Sequence, residues 1–191
     1  MSTSITRRNI LKKTVLTAGV LSAGGLMSKR TAAQAAAERV PLGLDAHSVR
    51  GMRWKAPQLI AYAAEQKLDA VLLKSLDVFE SRDTAHLKQL KATASDQGME
   101  LYFSGGSISE SSTRFSDKFG NAEDSLTEAI RVAEALASPI VAVRIGTIAD
   151  RYTDGGIEKN IEESVGVLKA LRGRALDAGV KFAFENHAAD L

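Results

Sequence analysis

The stretch "VKFAFENH", residues 180–187, decides the fold because its two faces differ in chemistry. In a β-strand, successive side chains point to opposite faces of the sheet. One face of this stretch carries Phe182 and Phe184, and the other carries Glu185 and His187. The stretch therefore predicts a strand with an apolar face that packs on helices and an opposite face that becomes polar at its C-terminal end.

Four earlier stretches repeat this pattern, and segments of helical period separate them. The strand-like runs are residues 40–47, 69–76, 99–106 and 139–146, and helices are predicted over 56–67, 84–97, 121–137 and 157–178. Strands joined by helices of this length need crossover connections, so we expect a parallel sheet. The connection over 104–121 is long, and it is a candidate lid.

Each strand can be divided by parity into a bulky and a polar set. The bulky set, expected to pack outward on helices, is Leu42, Leu44, Val71, Leu73, Leu101, Phe103, Val141, Val143, Ile145, Phe182 and Phe184. The polar set, at the C-terminal ends, is Asp45, His47, Lys74, Ser104, Arg144, Glu185 and His187. A doubly wound sheet would be apolar on both faces, whereas a (β/α) barrel gathers its chemistry at these ends. The prediction is an α/β fold of TIM-barrel type, incomplete, with about four βα units plus strand five.

Composition separates the first 37 residues from the rest. The chain has 191 residues and no cysteine, which excludes disulfides, a thiol nucleophile and a cysteine zinc site. Six of the 25 Lys and Arg residues lie in 1–37, which contains no acid; the remaining 19 face 23 acidic residues, for a net charge of −4. This balance gives no support for nucleic-acid binding.

The N-terminal segment has the layout of a cleavable signal peptide. Its basic start precedes an apolar run over 14–26 that is too short to span a bilayer, and small residues follow. "TRRNILK", residues 6–12, resembles the twin-arginine export motif, with Ile10 where that motif usually has Phe. We therefore expect residues 1–37 to engage the twin-arginine translocase and leave a periplasmic or extracellular protein without a stable membrane anchor. The alternative is an amphipathic N-terminal helix.

Three segments carry a family resemblance. "GVKFAFENHAADL" (179–191) resembles the fifth-strand segment of xylose isomerase-like TIM barrels, the sugar phosphate isomerase/epimerase superfamily, where "G(V/I)xxxxENH" recurs. "PLGLDAHSVRGM" (41–52) and "SPIVAVRIG" (138–146) are similar to that family's first and fourth strands. The resemblance implies that residues 38–191 are the N-terminal part of such a barrel, and that this part is inactive by itself.

The resemblance also implies a metal. In these barrels a divalent cation (Mn, Mg, Co or Zn) is held by two glutamates, an aspartate and usually a histidine. Glu185 matches the first glutamate, which makes it the expected metal ligand and a catalytic residue. The alternative for Glu185 is a structural ion pair with Lys74 or Arg144. These two cations are themselves expected to be catalytic, because they suit a substrate carboxylate, phosphate or enediolate oxygen.

Four further residues are candidates for substrate binding, each with a structural alternative. Asp45 and His47 form either a hydroxyl-binding pair or a simple strand-end hydrogen-bond pair. Trp54 can stack on a sugar face or pack on the first helix. His187 can orient substrate, ligate a metal in its neutral state, or lie as a surface loop histidine.

The function implied is metal-dependent isomerisation or epimerisation of a free sugar, keto-sugar or polyol. A proton next to a carbonyl would be removed and returned, with the cation polarising the oxygens. A keto-sugar lyase or dehydratase and a non-catalytic carbohydrate-binding barrel are the alternatives. A small-molecule carbohydrate is the expected partner, and a homo-oligomer is left open.

Overall fold

The structure, a computed structural model, describes residues 40–185. Its strands are β1 (Gly43–Asp45), β2 (Ala70–Lys74), β3 (Glu100–Ser107), β4 (Ile140–Arg144) and β5 (Lys181–Phe184). Its α-helices are α1 (Ala56–Glu65), α2 (Thr84–Asp96), α3 (Ala122–Leu136) and α4 (Gly156–Asp177). Short 3₁₀ helices cover Ala46–Met52, Leu76–Val78 and Ile148–Tyr152.

The five strands form one parallel sheet in the order β1-β2-β3-β4-β5, so that consecutive strands are neighbours. An α-helix follows each of the first four strands, which confirms the predicted parallel sheet with crossover helices. A complete TIM barrel has eight such units, and this chain has four units plus a fifth strand. The fold is therefore α/β, of incomplete TIM-barrel type, as predicted.

The outward parity of the three central strands makes the core, as the sequence predicts. Buried side chains from these strands are Val71, Leu73, Leu101, Phe103, Val141 and Val143, and they cluster with Leu59, Ile60, Leu87, Leu90, Leu126 and Ile130 of the helices. On the opposite parity, Leu72, Lys74, Tyr102 and Arg144 are half-buried, whereas the small Ser104 and Ala142 are buried. Helices thus cover the outer face, and the longer side chains of the inner face, which a complete barrel packs in layers, stay partly open here.

Two members of the predicted outward set are exposed, and three others, Leu44, Ile145 and Phe182, are half-buried. Leu42 precedes β1 and is 63% exposed, and Phe184 at the end of β5 is 56% exposed. Both lie at the edges of the described sheet, because β1 and β5 each have a single neighbouring strand there. The prediction that both Phe184 and Phe182 lie beneath helices is therefore wrong for Phe184, whereas Phe182 packs partly buried against the core.

Local signals fix the helix boundaries. Gly98 (φ 71°) and Gly179 (φ 68°) follow α2 and α4 in the left-handed conformation that glycine adopts readily, which confirms them as the predicted stop signals. Asn121 begins α3 through a reciprocal cap with Asp124, whose backbone N–H donates to the Asn121 carboxamide at 2.8 Å. The helix ends at Leu136, before the Ser-Pro pair that was expected to stop it.

Two sequence predictions fall outside residues 40–185. These are the signal peptide over 1–37 and the substrate-binding role of His187. Within the described range, none of the helices combines the length and the apolar character that crossing a bilayer requires.

Candidate active site

The C-terminal ends of β2 and β5 meet in an ion pair. Lys74 Nζ lies 3.0 Å and 3.1 Å from the two carboxylate oxygens of Glu185, and 3.9 Å from Asp45 Oδ2 at the end of β1. The side chains of Lys74 and Glu185 are 17% and 28% exposed, so the pair is partly shielded from water. Strand parity thus brings these residues together, and the sequence alternative of a Glu185–Lys74 ion pair is the contact observed.

A strained turn leaves β2 immediately after Lys74. Ser75 has φ 72° and ψ 144°, a conformation that non-glycine residues rarely adopt. Its hydroxyl accepts from the backbone N–H of Asp77 at 3.2 Å, and its backbone N–H donates to the Ser104 carbonyl at 2.9 Å. Strain of this kind occurs where a site requires a particular chain direction.

One cavity collects the polar ends of all five strands. Its volume is about 460 Å³. It is lined by Asp45, His47, Lys74, Ser75, Ser104, Gly106, Arg114, Arg144, Thr147 and Glu185. Six of these belong to the polar parity identified in the sequence, so the expected convergence on one face is observed; the chemical roles of the residues stay predictions.

The sequence missed a bulge in β3. The register between β3 and β4 shifts between Ser104 and Gly106, so that one extra residue enters the β3 strand. The extra residue, Gly105, lies against α3, where an added Cβ would be 3.1 Å from Ala129 Cβ. Ser104 and Gly106, on the two sides of the bulge, both line the cavity, and neither carries a bulky side chain.

The sequence also missed Arg114, which lies in the long connection after β3 and lines the cavity. Its neighbours are held by Asp150: Ser112 Oγ donates to that carboxylate at 2.8 Å, and Thr113 donates through its backbone N–H and its hydroxyl, each at 2.7 Å. Thr147 N–H and Asn160 Nδ2 add donors at 2.7 and 3.0 Å. Five donors thus converge on one carboxylate that is 0% exposed.

A second carboxylate anchors the start of the same connection. Glu163 of α4 accepts from Ser109 Oγ at 2.7 Å, and from Ser111 through its backbone N–H at 3.0 Å and its hydroxyl at 2.5 Å. Burial raises the Glu163 pKa, but these hydrogen bonds outweigh burial and lower it overall. Residues 109–113 are therefore fixed by hydrogen bonds to Ile148–Tyr152 and α4, which does not fit the free lid that the length suggested.

Position 146 must be glycine because the side chains of Asn160 and Asp150 lie too close to its Cα to leave room for a Cβ. A Cβ on Gly146 would lie 2.6 Å from Asn160 Nδ2 and 2.7 Å from Asp150 Oδ2, both closer than real contacts permit. One sequence signal could have found the cluster. Asn160 and Glu163 are polar residues on the helix face that packs inward, and the connection after β3 is rich in serines that can donate hydrogen bonds to them.

His47 and Trp54, two of the predicted substrate-binding residues, do not both lie where the sequence predicts them. His47 lies in the 3₁₀ helix Ala46–Met52 rather than in the predicted strand, because its backbone N–H donates to Asp45 Oδ1 at 2.8 Å and begins a turn. Trp54 does not line the main cavity. It packs on Tyr62 of α1, with ring centroids 5.1 Å apart, and lines a neighbouring cavity of about 320 Å³ that shares His47 and Lys74 with the main one.

The described residues meet only part of what a divalent metal needs. Mg²⁺ and Mn²⁺ take several oxygen ligands, but within residues 40–185 no group of three His, Cys, Asp or Glu side chains is placed to hold a metal ion. Both oxygens of Glu185 face Lys74 Nζ, whose charge repels a second cation. Glu185 thus fits as a single ligand at most, with its ion pair rearranged.

Fold and site together define a (β/α)-barrel protein with a charged cavity at the C-terminal edge of its parallel sheet, where TIM-barrel enzymes have their active sites. Three solved structures share this fold. They are a D-tagatose 3-epimerase-like protein (17% identity, 80% of this chain and 56% of that one, TM-score 0.54), D-psicose 3-epimerase from Clostridium cellulolyticum H10 (18%, 75% and 51%, 0.52) and a xylose isomerase domain protein from Planctomyces limnophilus (14%, 76% and 54%, 0.55).

At these identities the likeness shows the fold alone. The chain spans about half the length of each of these structures. No family model matches the chain, and no curated protein sequence matches it.

Proposed function

We propose that the complete protein is a sugar isomerase or epimerase. It moves a proton next to a carbonyl on a free sugar, keto-sugar or polyol. One observation carries the proposal: five parallel strands bring Asp45, Lys74, Ser104, Arg144 and Glu185 to a single cavity of about 460 Å³. The likeness of the fold to sugar 3-epimerases supports the same reaction class.

The charges around the cavity suit proton transfer beside a carbonyl. Glu185 is the proton acceptor, and Lys74, which contacts both of its oxygens, orients the carboxylate. Arg144 donates to the substrate oxygen that becomes negative when the proton leaves. A divalent metal, once bound, would supply polarisation of the substrate oxygens. Glu185 is the described residue that we propose as one of its ligands, through one carboxylate oxygen that leaves Lys74 when the ion pair rearranges, while the other oxygen accepts the proton.

Exchange of substrate hydrogen with solvent tests this function directly. The complete product of the gene is incubated with D-fructose, D-psicose or D-tagatose in D₂O containing Mn²⁺, and deuterium at the carbons next to the carbonyl is followed by NMR. We expect exchange with at least one sugar, its loss on chelation, and its return with added metal. Glu185→Gln should lower the exchange rate by about 100-fold or more, since general base catalysis contributes at least that much.

Glu65→Gln is the matched control, because Glu65 is an exposed glutamate at the end of α1, away from the cavity. Its exchange rate should equal that of the wild type. Sugar binding without exchange under Mn²⁺, Mg²⁺, Co²⁺ or Zn²⁺ would instead identify a non-catalytic carbohydrate-binding barrel. Release of water or a carbon fragment from the sugar would identify a lyase or dehydratase.

A further inference from the structure

The cavity has more positive than negative charge among its described lining residues. Lys74, Arg114 and Arg144 face two carboxylates, Asp45 and Glu185. Both carboxylates lie near Lys74, at 3.9 and 3.0 Å from its ammonium group. Counting His47 as neutral, the lining therefore carries a net charge of +1, because Lys74 and the two carboxylates sum to −1 and the two arginines contribute +2.

The two arginines have no carboxylate partner within residues 40–185. Neither guanidinium forms a salt bridge or a side-chain hydrogen bond there, in contrast to Arg82 and Arg131, which pair with Glu128. Among the residues that the structure describes, Arg144 Nε is moreover buried without a hydrogen-bond partner. A buried donor without a partner destabilises the folded protein, and more so when it belongs to a charged group. An anion in the cavity would remove this destabilisation.

Arg114 is held beside the cavity by the fold itself. Its backbone N–H donates to Ser112 Oγ at 3.2 Å, and Ser112 in turn donates to the buried carboxylate of Asp150 at 2.8 Å. The residue before it, Thr113, is bound to the same carboxylate twice. The main chain at Arg114 is thus fixed, and less conformational entropy is lost when its side chain binds a ligand.

We propose that the sugar bound here carries an oxyanion, and that Arg114 and Arg144 bind it, with Arg144 using others of its five N–H donors for the substrate oxygen of the proposed reaction. The inference rests on the carbohydrate site of the proposed function and adds a charge to the substrate class. Guanidinium groups bind carboxylate and phosphate in bidentate geometry. The single excess positive charge matches a singly charged carboxylate better than a phosphate, which carries about −1.5 to −2 at pH 7. A sugar acid is therefore the assigned ligand.

The test compares three sugars that differ at one carbon: D-glucuronate, D-glucose and D-glucose 6-phosphate. Each is titrated into the complete gene product by calorimetry. The wild type should bind D-glucuronate at least tenfold more tightly than D-glucose. Arg114→Gln should remove most of this preference, Arg114→Lys should restore only part of it because lysine lacks the bidentate fork, and Arg144→Gln should act in the same direction. Arg151→Gln, an exposed arginine outside the cavity lining, is the control that should keep the preference.

The outcomes separate this inference from the proposed function. Equal affinity for D-glucuronate and D-glucose, or a preference unchanged in Arg114→Gln, would overturn the oxyanion site, even if ketoses still exchange deuterium. A tighter complex with D-glucose 6-phosphate than with D-glucuronate would overturn the sugar-acid assignment. An arginine-dependent preference for D-glucuronate would support the site, and it would do so even in a protein that fails to exchange deuterium.

Discussion

Asp150 is both fully buried and ionised, and the reason lies in its donors. Burial raises its pKa, but hydrogen bonds from Thr113, Thr147 and Ser112 outweigh burial and lower the pKa from 3.8 to about 2. The folded protein thus binds the proton less well than the unfolded chain does. Asp150 stabilises the fold at pH values above about 4, and this contribution disappears as the pH falls toward 2.

Replacing the carboxylate should reveal this contribution. Asp150→Asn should lower the free energy of unfolding at pH 7 by about 2–3 kcal/mol, because the difference in pKa alone corresponds to roughly 2 kcal/mol and the amide turns a donor toward other donors. Urea denaturation of wild type and variant between pH 7 and pH 2.5 is the measurement. The difference should shrink below pH 4, whereas the exposed control Asp154→Asn should show little difference at any pH. A difference that is constant with pH would refute the assignment.

Central and edge strands of the sheet differ in how much they contribute to the core. Phe103 in the central β3 is 0% exposed and contacts Phe79 with ring centroids 5.6 Å apart. Phe184 has the same strand parity but lies at the described edge of the sheet, where 56% of it is exposed. Equal sequence patterns therefore lead to unequal burial, because burial depends on which elements flank the strand.

The two phenylalanines allow a direct comparison. Phe103→Ala should lower the free energy of unfolding by about 3–5 kcal/mol, as expected for a large side chain removed from a packed core. Phe184→Ala should lower the free energy of unfolding by only about 1 kcal/mol, the typical loss for a single substitution, because removing a largely exposed side chain leaves no cavity in the core. Chemical denaturation of both variants measures the two losses. A cost at Phe184 as large as that at Phe103 would mean that another part of the protein covers β5.

Sequence periodicity predicted the elements well because each signal is local. The alternation in residues 139–146 specifies both the strand and the face on which Arg144 lies, and parallel pairing then brings it to the same cavity as Lys74. Arg114 could not be found in this way. Its position depends on hydrogen bonds between the connection after β3 and Asp150, and no local pattern encodes contacts over such a separation. The exposure of Phe184 was missed for the same reason.

At the scale of the whole chain, the basic residues 1–37 and the acidic remainder suggest separate tasks. We propose that the first segment directs export through the twin-arginine pathway, on the basis of "TRRNILK" and the absence of acidic residues there. Replacing Arg7 and Arg8 by lysine should leave the uncleaved precursor in the cytoplasm. Fractionation of cells followed by immunoblotting is the measurement, and Lys12→Arg is the control that should be exported. Normal processing of the double lysine variant would exclude the pathway.

The buried carboxylate of Asp150 also sets an order of events during synthesis. Ser112 and Thr113, the two residues before Arg114, bond to a partner 38 and 37 positions later in the chain, so their anchor does not exist until β4 and the turn after it have left the ribosome. Until then the connection is an open loop whose closure costs entropy. The anchor of the arginine side therefore becomes available only once β1 to β4 have been synthesised, whereas β5, which carries Glu185 at its end, is made later still.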